Sequence, residues 1–274
     1  LDSLSNNKES DQSDLVVFID GPKTNSQSHL IDNVETVVNS YKKSFKSIVI
    51  YKSETNLGSA CNLRNGITKI FETYNKAIFI EDDIVVSNFF LEYMNYALSK
   101  YENDHNVWHI NGFNFPIKSK NNDCYFSRVM FCWGWATWKN RWLKHIKNPL
   151  SHDAFYLKNL FNKSMIKGLD LNGNVKFFSS QIEKNCQGNN TWAIFWYAFI
   201  YCNKGLCLTP YFSLTRNIGH DGSGSHCREN KTIQYELINL NPINNFPDIA
   251  TEDLNSLKKM KNYIRKTYSL RKKI

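Results

Sequence analysis

Three carboxylates stand side by side at Glu81, Asp82 and Asp83, where the apolar run KAIFI ends in KAIFIEDDIVVSNFFLEYM, residues 76–94. Adjacent carboxylates repel, and crowding them costs stability unless a cation or hydrogen-bond donors neutralise them. Hard divalent ions such as Mn2+ or Mg2+ meet that need. They are commonly held by one or two carboxylates plus the phosphates of a nucleotide, which leaves the remaining acid for a ribose hydroxyl. The competing reading is a polar strand exit, or a cap on the helix NFFLEYMNYAL that Ser87 would begin.

A second group of reactive side chains flanks a Gly-rich turn, IGHDGSGSHC at residues 218–227. Its glycines and serines let backbone approach a phosphate closely. His220, Asp221 and His226 flank that loop as a metal ligand or base, with His226 favoured because it closes the turn. A third signal is FCWGWATWKNRW, residues 131–142, in which Trp133, Trp135 and Trp138 suit a strand or extended loop. Sugar rings present C–H faces that stack on indoles, so Trp133 and Trp135 are candidates to line a sugar pocket, with core packing claiming at least one of the three.

The elements that must position these groups follow from periodicity. LVVFID (15–20) and SIVIYK (47–52) read as strands, and between them Leu30, Ile31, Val34, Val37, Val38 and Tyr41 repeat at helical spacing. A second helical pattern, ACNLRNGITKIFETY, leads into the strand KAIFI. Strand, helix, strand, helix, strand implies an α/β fold with a parallel sheet, whose ligands bind beyond the carboxyl ends of the strands. The three strands end at Asp20, at Ser53 to Gly58, and at Glu81-Asp82-Asp83, so the acids sit at the expected binding edge. Beyond Asp83 come an amphipathic stretch around 153–167 and an aromatic helix, TWAIFWYAFIYCNKG (191–205). With no internal repeat and no linker, one domain is expected over residues 1–230, its nucleotide half 1–84 and its sugar and acceptor half 85–230, followed by a basic tail at 231–274.

Composition narrows the function classes. At 274 residues, 42% apolar and 14% aromatic, the chain is that of a folded globular protein. The net charge of +9 is local: residues 258–274 hold eight Lys or Arg and no acid, and without them 26 bases face 25 acids. A neutral body argues against nucleic acid as a partner. Leu257, Met260, Ile264, Tyr268 and Leu270 would line one side of a helix in that tail, which either lies on an anionic membrane surface or packs on its own domain. Seven cysteines, odd in number and without a CxxC pair, argue against a disulfide framework and a zinc site. No run of about 18 apolar residues occurs, and LDSLSNNKESDQSD lacks the pattern of a signal peptide, so a cytoplasmic place is expected, at the inner face of the plasma membrane if the tail binds lipid.

NLGSACNLRNGI (56–67), the EDD triplet, CWGWATW (132–138) and NTWAIFWYAFIYCNKGLCLTPYFSLTRNIGHDGSGSHC (190–227) together resemble nucleotide-sugar glycosyltransferases of the GT-A fold, a Rossmann-like class with a mixed, mainly parallel sheet. The likeness is to a bacterial group involved in polysaccharide biosynthesis and, more remotely, to a Golgi N-acetylglucosaminyltransferase. It covers about residues 14–230. It implies Asp83 as direct metal ligand, Asp82 near the ribose or the metal's waters, and Glu81 supporting the loop. It further implies Asp20 at the nucleotide base, and Arg64 approaching the diphosphate over the loop Asn56-Leu57-Gly58.

The resemblance thus implies transfer of a sugar from a nucleoside diphosphate donor, UDP-linked, to a glycan or lipid-linked acceptor, with inversion. Two departures stand out. Where the Golgi relative would carry its catalytic aspartate, this chain has Ala193 or Ile194, so the base would pass to Glu183 or Asp221. Family members also begin with one more strand than LDSLSNN supplies. These departures keep two rivals open, a catalytically silent nucleotide- or glycan-binding protein and a nucleotidyltransferase.

Overall fold

The computed structural model describes residues 1–117, 119, 123–173, 175–189, 191–219 and 238–269. A single helical turn, α1 (Asp2–Ser5), leads through a short 3-10 turn to β1 (Asp14–Ile19). Then follow α2 (Ser28–Ser40), β2 (Ser47–Lys52), α3 (Ser59–Thr73) and β3 (Lys76–Phe79). The alternation read from the sequence is therefore present.

The sheet it was expected to build is divided. β1 and β2 pair in parallel as a two-stranded sheet, whereas β3 joins a separate five-stranded one. That larger sheet collects strands from the second half of the chain: β5 (Val107–Asn111), β6 (Cys124–Ser127), β7 (Trp135–Trp138) and β8 (Leu206–Pro210), in the order β3-β7-β5-β8-β6. Only β5 and β8 run parallel there; β3 with β7, β5 with β7 and β6 with β8 are antiparallel. The architecture is α/β with a mixed multi-strand sheet flanked by helices, compatible with a Rossmann-like fold. The expected predominance of parallel pairing gives way because β6 and β7 are short return strands that need no crossover helix.

β4 (Ile84–Val86) leaves the acidic triplet and pairs antiparallel with β9 (Thr215–Asn217). α4 (Phe90–Lys100) follows, with Phe90, Met94 and Ala97 fully buried. Ser87 does not cap it, the N-cap being Phe89; it forms the turn before the helix, its carbonyl accepting from Phe90 N at 3.0 Å and its hydroxyl from Phe89 N at 3.2 Å.

Five helices cover the other flank: α5 (Lys139–Ile146), α6 (Ala154–Leu160), α7 (Lys163–Leu169), α8 (Phe177–Cys186) and α9 (Ala193–Cys202). The amphipathic stretch at 153–167 is broken into two helices because Asn162 caps the second, its side chain accepting from Met165 N at 3.0 Å. α9 is apolar all round and accordingly buried from Ile194 to Ile200. Trp135, Trp142 and Trp196 meet there in one aromatic core, and each is at most 1% exposed.

The expected helix of the basic tail is α10 (Leu254–Ser269). Leu257, Met260 and Ile264 are buried against Ile117, Tyr125 and Val129, so the apolar row packs on the protein's own body. Residues 238–253 are tied in as well, through Ser87 Oγ to Asn239 O at 2.6 Å and through backbone bridges of Phe126 in β6 with Glu252 and of Asp123 with Asn245. α2 departs from its helical pattern: Val38 is buried, while Leu30, Val34 and Val37 are 45–56% exposed. A two-stranded sheet offers that helix too narrow a surface to cover its apolar stripe.

Candidate functional site

β3 delivers the acidic triplet to the edge of the sheet, and β9 comes back to meet it. The backbone turns at once, with Ile84 N donating to Glu81 O at 3.2 Å, and the antiparallel pair places Ile84 opposite Asn217. Asn217 Nδ2 then donates to Asp83 Oδ2 at 3.0 Å, and Ile218 N donates to Asp83 O at 2.8 Å. Gly219 N closes back onto Asn217 Oδ1 at 2.8 Å. A Cβ on Gly219 would lie 2.5 Å from Asp83 Oδ2, so only glycine lets the chain pass the carboxylate this closely.

The floor beneath is built from two Gly-containing turns. Gly112 N donates to Gly134 O at 2.8 Å, and Cβ atoms on either would collide with Phe90 and with Thr215 Cγ2. Thr215 Oγ1 donates to Trp133 O at 2.7 Å, which fixes the Trp133 turn against β9. Buried Asn111 and Asn114 hold this layer from behind. Asn111 takes the Phe131 amide and donates to Val129 O and Thr209, and Asn114 donates to Pro210 O at 2.8 Å. The loop carrying Trp133 thus has few conformations open to it.

Electrostatically the triplet is uneven. Glu81 is partly buried and Asp82 exposed. Burial, reinforced by the charges of Asp83 and Asp82, pushes the Glu81 carboxyl up to about 7. Among the described residues no three His, Cys, Asp or Glu side chains form a ready-made metal cage. The donor set that remains, Asp83 with Asp82 beside it, suits an ion that keeps water and substrate oxygens in most of its coordination sphere, as Mg2+ or Mn2+ does. A crowded triplet in which one carboxyl is driven toward its neutral form fits a divalent cation.

Asp20 is placed differently from its expected role at a nucleotide base. Its Oδ1 accepts from Gly21 N at 2.9 Å and Leu57 N at 2.8 Å, and its Oδ2 from Gly58 N at 2.9 Å and Asn56 Nδ2 at 3.2 Å. Both oxygens are spent in stapling the end of β1 to the loop before α3. Asn56 adds a bond to Gly21 O at 2.7 Å, and Gly58 enters α3 at φ 77°. Asp20, expected at a nucleotide base, and Asn56 and Gly58, expected in the loop that brings Arg64 to a diphosphate, form one loop knot.

Arg64 lines a cleft of about 740 Å³ with Phe18, Tyr51, Asn62, Ser151 and His152; none of the three acids lines it. Trp135 is core: 1% exposed, it lies between His109 at 5.0 Å and Trp192 at 5.4 Å and has no face for a sugar. Its place on a central strand, covered on both faces, is the reason. Trp133 is half-buried, its ring 4.5 Å from Phe113, and its backbone belongs to the site. Glu183 is exposed on α8 beside core Ile182, and no hydrogen bond or ion pair joins it to the triplet. Asp221 and His226, with His220, lie outside the described residues.

Two residues that the sequence did not single out matter here. Asn217 and Gly219 both touch Asp83: Gly219 lies inside the Gly-rich turn 218–227 and Asn217 directly before it, which is the signal the sequence carried for them. Among the described residues no helix is long and apolar enough to cross a membrane. Comparison with protein-family models and with curated proteins returns no match.

Proposed function

We propose that this chain is a metal-dependent glycosyltransferase of the GT-A type, moving a sugar from a nucleoside diphosphate donor, UDP-linked, to a bacterial surface glycan. The observation that carries the reading is the junction at Asp83. A strand-end acid is held by the Asn217 amide and passed closely by Gly219, at the edge where such sheets bind nucleotides. Asp83, with Asp82 beside it, would hold Mn2+ or Mg2+, which when bound offsets charge developing on a leaving diphosphate.

The chain's own residues orient and support. Asn217 fixes the Asp83 carboxylate, Glu81 supports the loop as a carboxyl that burial and its neighbours push up to about 7, and Trp133 would border the donor's sugar. The acceptor hydroxyl needs a base. Of the two carboxylates the sequence offers, Glu183 is exposed on α8 with no bond to the site, which leaves Asp221, outside the described residues and two positions after Gly219 in the sequence, as the candidate. Contact with an anionic inner leaflet would rest on the exposed charges of α10, Lys258, Arg265 and Lys266, because its apolar row is already buried.

The test is calorimetric titration of UDP, with and without Mn2+, into the wild type and Asp83→Asn, followed by UDP-sugar hydrolysis. Metal-dependent binding that Asp83→Asn abolishes, with turnover, supports the reading. Binding without turnover of any donor would favour the silent nucleotide-binding protein instead. Indifference of binding to both metal and mutation would sink the donor site.

A further inference from the structure

Charge is unevenly distributed over the body of the protein. Outside the basic tail 26 bases face 25 acids, but nine of those bases and only three of the acids lie in residues 139–186, the layer of α5 to α8, which leaves 17 bases against 22 acids in the rest. Seven lysines of this layer, from Lys144 to Lys184, are exposed. Two of its three acids are spent on helix ends. Asp170 is buried and accepts from Phe178 N at 3.1 Å and Ser179 N at 3.0 Å at the start of α8, and Asp153 accepts from Tyr156 N at 2.8 Å at the start of α6. The outer face of the layer is therefore strongly cationic.

Among these lysines α6 turns an apolar face to solvent. Leu157 and Phe161 pin the helix to the core, and Cys186 Sγ of α8 donates to Ala154 O at 3.4 Å. At about 100° per residue, Phe155, Asn159, Tyr156 and Leu160 fall in that order within one arc of about 140°, turned away from Leu157. Phe155 is 63% exposed, Tyr156 43% and Leu160 42%. Lys158 flanks the arc, and Lys163 opens α7 three residues after Leu160; both are exposed.

We infer that α6 and the lysines around it dock on an anionic bilayer surface. A helix that presents Phe, Tyr and Leu on one face within a ring of lysines matches the boundary between headgroups and acyl chains. Phe155 and Leu160 reach the acyl side, the Tyr156 hydroxyl stays among the headgroups, and the lysine stems lie along the apolar boundary while their ammonium groups remain wet. The use of lysine fits a diffuse anionic surface, because ammonium groups act as mobile point charges, whereas a discrete phosphate or carboxylate is best gripped by the arginine fork. The layer's one arginine, Arg141, is buried with its guanidinium on Glu102 O and Asp104 O. α10 adjoins this layer, since its Leu257 and Met260 share an apolar cluster with Leu171 and Val175, between α7 and α8. Its exposed cations add charge, but its own apolar row is buried, so the apolar anchor is α6. Vesicle binding reads this surface alone and is independent of sugar transfer.

The test is flotation of the full chain with vesicles of phosphatidylcholine alone and of phosphatidylcholine mixed with phosphatidylglycerol. Binding is expected to the anionic vesicles only, weakening at high salt. Phe155→Ser with Leu160→Ser should lower partitioning about tenfold or more, and so should Lys158→Gln with Lys163→Gln. Melting temperatures should stay near that of the wild type, since all four side chains are exposed; the glutamine pair, which keeps the apolar face, reads the surface on its own if the serine pair disturbs α6. Unchanged partitioning of the serine pair, with loss in Lys258→Gln plus Arg265→Gln, would assign the contact to α10 alone. Equal binding to neutral vesicles would remove the recognition of charge. Retention on heparin beads without binding to either vesicle would make the layer a polyanion site, and no binding to vesicles or heparin would leave it a solvated face. Each of these four outcomes overturns the inference.

Discussion

Asn217 reaches Asp83 across 134 residues of sequence, its Nδ2 lying 3.0 Å from the carboxylate Oδ2. On the proposed function Asp83 holds the metal and Asn217 orients it, and loss of such an orienting partner commonly weakens metal binding. Asn217→Ala is therefore expected to weaken Mn2+-dependent UDP binding about 10- to 100-fold. Two partly buried hydrogen bonds are lost, to Asp83 Oδ2 and from Gly219 N, so thermal stability should also fall, by about 1–3 kcal/mol. Calorimetry on both proteins, with melts alongside, checks this; equal affinity would detach Asn217 from the site.

Gly219 gives a steric version of the same prediction. The 2.5 Å approach of a new Cβ to Asp83 Oδ2 leaves no room for the carboxylate in its present place. On the proposed function Gly219→Ala is expected to abolish metal-dependent nucleotide binding as Asp83→Asn is, while Gly188→Ala, at an exposed turn with nothing within 4 Å but φ 94°, strains its own turn and leaves binding intact. Parallel titrations of the two variants decide it.

The elements of the first 80 residues were legible because strand and helix repeats are local properties. The division of the sheet was not, because strand pairing depends on which backbone edges meet, and nothing in LVVFID or KAIFI records its neighbour. The acids at 81–83 announced themselves by type. Asn217, a plain amide in a polar stretch, became visible only once β4 had paired with β9. Trp135 misled for a related reason: alternation places every second indole on one face, but a central strand of a covered sheet has no outer face. Asp20 shows a further limit: its place at the end of a strand was legible, but its bonds to the loop of Asn56, Leu57 and Gly58, 36 to 38 residues away, were not.

That knot is testable. Asp20 accepts four hydrogen bonds, so Asp20→Ala leaves the amides of Leu57 and Gly58 without partners at the entry to α3. The bonds from Leu57 N and Asn56 Nδ2 are exposed and water can replace them, so the loss is about 1–2 kcal/mol. Urea unfolding should show that loss, with faster hydrogen exchange at Leu57 and Gly58. A variant as stable as the wild type would return Asp20 to a ligand role.

The two tryptophans separate core from site. Trp135→Ala removes a ring packed against Phe79, His109 and Trp192 and should cost about 3–5 kcal/mol. Trp133→Ala removes a half-buried ring at the site and should cost less stability but more donor affinity. Measuring urea midpoints and UDP-sugar affinity on both variants gives two orderings, which the placement of the rings predicts to be opposite.

Buried histidines predict the response to acid. Burial drives both His109 and His145 down to about 3; His109 is held between Phe131 O and Trp196 Nε1, and His145 is boxed by Trp142, Trp196 and Phe199. An unfolded histidine titrates near 6.5, so below that pH the unfolded chain takes up protons that the folded one refuses. The folded state therefore loses stability as pH falls from about 6.5 toward 3, and gains nothing further above about 7 from these two groups. His145 Nδ1 has no hydrogen-bond partner, so His145→Phe removes a titrating ring without breaking a bond at that nitrogen. Urea midpoints at pH 7 and pH 5 should differ less in His145→Phe than in the wild type. An unchanged difference would mean that His145 takes up its proton in the folded protein as readily as in the unfolded chain, and so lies in a wetter environment than its aromatic box implies.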